Sequence, residues 1–324
     1  MEVSGGIEVK KIRIGNLLLP SNVLMAPLAG YTCYPFRMLA YELGAGLCFT
    51  EMCSANALKY EDRATKRLLV TAKDEKIKAV QLLGGIPAVM ERMAGSELLK
   101  DFDVIDINMG CPVPNVFKSG EGSALMLDWK RAAAIIRGCK RSGKVVSVKC
   151  RTGIREDDMF AAEFARMCEA SGADMLTIHG RSRSMMYDGK PYVKEIALAK
   201  AAVSIPVIAN GGIFSVEDAG NMMDETGADG VMVARYGLEH PFIFSELTGK
   251  PCDKTAFQIL MEQIELTAGY YDETFTLGYM KKLASYMMKK RKGTKKFKEQ
   301  LFQSGSLEEL REVIALIFYN REGE

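Results

Sequence analysis

Short apolar runs alternate with amphipathic stretches from the beginning of the chain to about residue 248. The runs Val23–Pro27, Leu47–Cys53, Ile77–Leu83, Val104–Asn108, Val145–Lys149, Met175–His179, Ile205–Asn210 and Gly230–Ala234 read as eight strands. Helical spacing fits between them, around Pro35–Leu43 and at Trp129–Arg141, Met159–Ala170 and Ser215–Thr226. Strand–helix alternation implies right-handed crossovers and a parallel sheet. Eight such units in about 230 residues match a closed (β/α)8 barrel, the TIM barrel of the α/β class. A doubly wound open sheet would alternate in the same way. Against it, no Gly-x-Gly-x-x-Gly follows the first strand, so the dinucleotide fingerprint is absent.

After Phe242-Ile243-Phe244 the pattern changes. From Thr255 onward only helical periodicity remains, with a lysine-rich stretch of Lys281-Lys282, Lys289-Lys290-Arg291-Lys292, Lys295-Lys296 and Lys298. Leu307 to Phe318 reads as a final amphipathic helix, with Ser306 as its N-cap ahead of Glu308 and Glu309. The chain is therefore expected to divide near Gly249-Lys250-Pro251 into a barrel, residues 1–249, and an all-helical domain, residues 250–324.

Composition narrows the class of protein. Hydrophobic residues make up 48% of the 324, ample for a sizeable core. A formal net charge of +2 excludes a general polycation, so any nucleic-acid surface must be a local patch. Eight cysteines occur without a Cys-x-x-Cys pair, which points to a reducing compartment and away from structural zinc or an iron–sulfur cluster. The start of the chain has no basic-then-apolar signal pattern, and no apolar stretch approaches membrane-spanning length. The expectation is a soluble cytoplasmic protein, monomeric, with no membrane or metal partner.

The candidate chemistry gathers at strand ends. In Asp106-Ile107-Asn108-Met109-Gly110-Cys111-Pro112 an apolar run stops at an amide, a glycine, a thiol and a proline. Glycine admits close approach and Pro112 stops the strand, so Cys111 is presented at a carboxyl end, where parallel barrels keep their active sites. Gln81, Lys149, Arg151, His179, Arg181, Asn210 and Arg235 occupy equivalent positions. Converging on one face, they suit a planar, anionic, phosphorylated ligand. Lys149 at the end of a buried strand requires a partner. It either pairs with a carboxylate such as Glu51 or Asp106, or stabilises negative charge on a reduced isoalloxazine. Asn210-Gly211-Gly212 and Ala234-Arg235 follow the last two strands, where this fold places its phosphate site. The loop from Val113 to Ser123 is long enough to act as a lid. His240, before Pro241, reads as structural.

Asn108-Met109-Gly110-Cys111-Pro112, with Gly120, Gly122 and Ser123 downstream, resembles the signature of the tRNA-dihydrouridine synthases. Met25-Ala26-Pro27-Leu28-Ala29-Gly30, Gln81-Leu82-Leu83-Gly84, Val148-Lys149-Cys150-Arg151, Ile178-His179-Gly180-Arg181 and Asn210-Gly211-Gly212-Ile213 fit that family in order. The likeness spans nearly the whole barrel and is strongest to the bacterial B-type branch. Departures are small: Gly212 stands where a common subgroup is acidic, and Ala234 replaces a usual glycine. Lys282 and Ser285 stand where many bacterial members carry histidine and tryptophan.

The resemblance implies an FMN-containing barrel with a helical tRNA-binding domain, reducing the C5–C6 double bond of particular tRNA uridines at the expense of NADPH. Residue by residue it implies that Pro27, Leu28 and Ala29 line the flavin, and that Gln81, Lys149 and His179 hold its ring and ribityl chain. Asn210, Gly211, Gly212, Ala234 and Arg235 would take the phosphate. Cys111 would be the general acid, with Asn108, Arg151 and Arg181 on the substrate side. Hydride from flavin N5 to uracil C6 leaves enolate-like charge to be quenched at C5. A thiol with a pKa near its free value of about 8.5 is protonated at neutral pH and can supply that proton. The basic tail from Lys289 to Lys298 would grip phosphates, with Tyr286 and Phe297 either stacking or packing in the helical core. Two other readings use the same residues: an FMN barrel acting on a free pyrimidine, as dihydroorotate dehydrogenases do, and an RNA-binding barrel without chemistry.

Overall fold

The computed structural model describes residues 7–289 and 295–319. Eight parallel strands form its centre: β1 (Val23–Met25), β2 (Leu47–Ser54), β3 (Ala79–Leu83), β4 (Val104–Met109), β5 (Val145–Arg151), β6 (Met175–His179), β7 (Val207–Asn210) and β8 (Gly230–Val233). Each pairs with the next, and β8 pairs with β1 through Val231↔Val23, Met232↔Leu24 and Val233↔Met25, which closes the barrel. That closing pair rules out the open sheet.

Side chains alternate across each strand, so every second residue points into the barrel. Read upward, the inward positions turn from apolar to polar: Val104, Asp106, Asn108 on β4; Val145, Ser147, Lys149 on β5; Met175, Thr177, His179 on β6; Ile208, Asn210 on β7. The lower layer, with Leu24, Phe49 and Met232, is a dry plug. The outward positions, such as Ile105, Ile107, Val146 and Val148, pack against the surrounding helices. Burial of one face and plugging of the floor leave the carboxyl ends of the strands as the open, polar end.

Two small hairpins flank the barrel strands without a signal in the sequence. One (Ile12–Ile14 with Leu17–Leu19) turns at Gly15, φ 53°, and puts Ile12, Ile14 and Leu19 against the floor of the barrel. The other (Gly153–Arg155 with Asp158–Met159) follows β5. Met159 is therefore in a strand, and its helix starts at Ala161. Strands of two or three residues are too short for a period to show in the sequence. Ends also shift: β1 stops at Met25 rather than Pro27, β3 begins at Ala79, β7 begins after Pro206, and β5 runs on to Arg151.

From Ala256 the described residues are helical: Ala256–Tyr270, Glu273–Met287, Lys295–Gln303 and Leu307–Tyr319. Thr255 and Gln258 form a reciprocal capping box, and Ser306 Oγ accepts from Glu309 N at 3.2 Å. The helix Glu273–Met287 docks on the turn that follows β1. Lys282 Nζ donates to Gly30 O at 3.2 Å and Tyr279 Oη to Tyr31 O at 3.1 Å, while Tyr286 meets the Tyr31 ring edge-on at 5.1 Å. Of the lysine-rich stretch, Lys290, Arg291 and Lys292 lie outside the described residues. No helix among the described residues is long and apolar enough to cross a membrane.

Candidate active site

A cleft of about 360 Å³ opens at the carboxyl ends of the strands, within the usual range for a small-molecule site. The structure brings every residue expected to serve catalysis, cofactor or substrate to its walls. Pro27, Leu28 and Ala29 come from the turn after β1, Gln81 from β3, and Asn108 and Cys111 from the end of β4. Lys149 and Arg151 come from β5, His179 and Arg181 from β6, Asn210, Gly211 and Gly212 from β7, and Ala234 and Arg235 from β8. In a closed ring of eight, β4 and β8 lie opposite one another, so Cys111 and Arg235 approach from opposite walls.

On the β4 wall the geometry is set by amides. Asn108 Oδ1 accepts from Cys111 N at 2.9 Å and from Gly110 N at 3.2 Å, turning the chain sharply at the strand end. Ser123 Oγ donates to Cys111 O at 2.8 Å. A Cβ on Gly122, at φ +60°, would sit 2.9 Å from that of Cys111. The segment expected to be a free lid is thus folded onto the cysteine, through a short helix (Pro114–Lys118) and a 3-10 turn (Gly122–Leu127). Arg151 is almost fully buried and donates from Nε to Gly110 O and from Nη1 to Ser182 O, both at 2.8 Å. Burial raises the Cys111 thiol pKa, and the nearby Val113 amide and Arg151 charge offset it only in part. The thiol is therefore protonated at neutral pH.

The rest of the rim, from β5 round to β8, is a crowd of cations. Lys149 Nζ donates to Asn210 Oδ1 at 3.0 Å, and Asn210 in turn donates to Met232 O at 2.8 Å. Neither carboxylate suggested for Lys149 forms an ion pair with it: Glu51 accepts from Gly30 N, and Asp106 acts on the amine only through space. Burial, then the charge of Arg151, push the Lys149 amine down to about 8. His179 is held well below the ordinary histidine range by burial and by Lys149, Arg151, Arg181 and Arg235. Its Nε2 lies 3.1 Å from Arg181 Nη1. Because a guanidinium can only donate, Nε2 is the acceptor and the ring proton is assigned to Nδ1. Arg181 is otherwise tied to the Asp188 and Gly189 carbonyls. Gly211, at φ +113°, leaves no room for a side chain, since a Cβ would meet His179 Cδ2 at 2.9 Å.

Several cleft residues fall outside those singled out from the sequence. Met52 lies under Asn108, whose Nδ2 is 3.2 Å from Met52 Sδ. Tyr187 hangs from the loop after β6 with its ring under Arg235 at 4.9 Å and Arg151 at 5.6 Å. Phe214 and Tyr236 meet edge to face at 5.7 Å beside the glycine turn. Aromatic residues after glycine-bearing strand ends were the available signal. His240 sits outside the cleft and lies 2.6 Å from Glu246. No cluster of three or more metal-ligating side chains occurs among the described residues.

Comparison with known proteins agrees over the barrel and most of the helical segment. A model of the dihydrouridine synthase family matches residues 24–320. The tRNA-dihydrouridine synthase B of Pseudomonas aeruginosa is 33% identical over 299 residues, covering 89% of this chain and 90% of that protein. The probable tRNA-dihydrouridine synthase 1 of Synechocystis is 35% identical over 319 residues, covering 95% of this chain and 89% of that protein. The tRNA-dihydrouridine synthase B of Vibrio cholerae is 38% identical over 237 residues, 73% of this chain and 74% of that one. Among solved structures, a 2-naphthoyl-CoA reductase superposes with a TM-score of 0.57 at 12% identity over 77% of this chain and 52% of its own, a likeness of fold alone. The chain belongs to the dihydrouridine synthase family, in its B-type branch.

Proposed function

We propose that this protein reduces the C5–C6 double bond of uridines in tRNA, with FMN as its cofactor and NADPH as the electron donor. The observation that carries the reading is Cys111 sharing one cleft with a group of cationic side chains, with burial raising the thiol pKa. The donor set fits FMN. Gly211 and Gly212 leave backbone exposed where a side chain would collide, and Arg235 stands beside them with an exposed guanidinium. Asn210 and Ala234 would complete the phosphate pocket. Lys149 and His179, with Gln81, would hold the ring and ribityl chain against Pro27, Leu28 and Ala29. Lys149, cationic below about pH 8, suits an electron-rich ring.

Bound FMN, once reduced by NADPH, supplies the hydride that uracil C6 receives. The chain's own contribution is the other half of the addition. Cys111 gives its proton to C5, and burial keeps that proton on sulfur until the base arrives. Asn108, Arg151 and Arg181 would face the base, which must leave its stack to enter. Residues 1–249 would form the catalytic barrel. Residues 250–324, with their lysine-rich stretch, would grip the RNA backbone in a cytoplasmic, monomeric enzyme.

The test is reduction of unmodified tRNA by the purified protein with FMN and NADPH, followed by mass spectrometry of the nucleosides. Dihydrouridine in tRNA, with free uridine and orotate untouched, is the expected result. Turnover of the free pyrimidines instead would move the protein to a dihydroorotate dehydrogenase-like role. A protein that takes up no FMN would overturn the reading altogether.

A further inference from the structure

Beneath the cleft, one buried acid connects to the cysteine through two amides. Asp106 is 1% exposed and accepts from Ser147 Oγ and from Gln81 Nε2, both at 2.6 Å. Gln81 Oε1 accepts from Asn108 Nδ2 at 2.9 Å, and Asn108 Oδ1 accepts from Cys111 N at 2.9 Å. The strand register sets up the lower half of this relay, because Gln81 lies beside Asp106 and Asp106 beside Ser147.

Both ends of the relay have fixed polarity. An ionised carboxylate can only accept, and the peptide N–H of Cys111 can only donate. Each amide between them therefore has a single favourable orientation. Were either to flip, two donors or two acceptors would meet in a buried site, where the mismatch is costly. We infer that Asp106 is a positioning residue for the proton donor: through Gln81 and Asn108 it dictates the direction of every hydrogen bond leading to the Cys111 peptide. This inference rests on the reading of Cys111 as the acid, and it adds a residue that touches neither base nor cofactor. Burial pushes the Asp106 carboxyl up to about 6, against the pull of Ser147, Gln81 and Lys149, so it is ionised at neutral pH.

A polarity swap tests the relay. Gln81→Glu sets a second carboxylate against Asp106 and should lower kcat for tRNA reduction about 100-fold, the scale of a misplaced catalytic group. Adding Asp106→Asn should recover the activity to within about tenfold, because the introduced amide then donates to the new carboxylate, which still accepts from Asn108. Asp106→Asn alone retains an acceptor for Gln81 and should stay within about tenfold of wild type. Site-resolved alkylation of Cys111 gives a second readout that needs no turnover. Its rate should change several-fold in Gln81→Glu and return in the double variant. A double variant no better than Gln81→Glu in both measurements overturns the relay. An inactive wild type in which the alkylation cycle closes as expected overturns the assigned reaction and leaves the relay standing.

Discussion

The two walls of the cleft handle their polar groups in opposite ways. On the β4 wall, Asp106, Gln81, Asn108 and the Cys111 peptide satisfy one another, with donors and acceptors matched along the line. On the β5–β8 wall, Lys149, His179, Arg181 and Arg235 stand together with no carboxylate among the described residues ion-paired to them, and burial first, then neighbouring positive charge, lowers the Lys149, His179 and Arg181 pKa values. Like charges in a partly buried cluster cost energy that only an anion relieves. The first wall is finished within the protein and serves geometry. The second is electrostatically frustrated, and the same frustration would suit it to phosphate and to an electron-rich ring, as the proposed function requires.

The largest effect that would sharpen this contrast comes from the finished wall. Cys111→Ala should lower dihydrouridine formation by about 10²–10⁴-fold while leaving bound FMN unchanged, since in the proposed reaction the thiol would supply a proton and no cofactor contact. Equal loss of FMN would break the division of labour between the walls. The next effect belongs to the frustrated wall. Arg235→Met removes a charge-assisted contact of about 1.5–3 kcal/mol and should weaken FMN binding roughly 10- to 100-fold by fluorescence titration. Once FMN is saturating, kcat should be nearly restored. Gly211→Ala acts through the backbone: its φ of +113° and the 2.9 Å approach to His179 predict a loss of about 1–3 kcal/mol. That corresponds to a fall in Tm of about 2–4 °C per kcal/mol, with FMN binding weakened alongside.

How much of this was legible in the sequence follows from which features have a period. The eight strands were, because each buries apolar residues on its outer face and its lower inner face. Most of the cleft was as well, since the residues that end those strands are polar where the barrel opens. What escaped depends on pairing between strands. Asp106 appeared only as a partner for Lys149, because the side-by-side placement of Gln81 and Asp106 exists only once β3 and β4 are in register. Arg151 was legible as a strand-end cation. Its ties to the Gly110 and Ser182 carbonyls were not, because they join two loops that only the closed barrel brings together. Tyr187 and Phe214 sit on loops, where no alternation marks a side chain as inward-facing.

The smallest effect is a matter of sign, and it separates the walls without a mutation. In the free protein the Lys149 amine loses its proton near pH 8, below the ordinary lysine value of about 10.4. An anion prefers the protonated amine, so binding takes up a proton and FMN affinity should fall as pH rises through 8. If the charge is required, affinity at pH 8 should be about twofold weaker than at pH 7. Stability of the FMN-free protein should move the other way. Between about pH 8 and 10.4 the unfolded chain holds a proton that the folded Lys149 has lost, so this group's contribution to stability increases with pH. Titrating FMN affinity and thermal stability over the same range should therefore give opposite slopes. Parallel slopes would mean that Lys149 is relieved by Asp106 and Asn210 within the protein, and that its wall is as finished as the other.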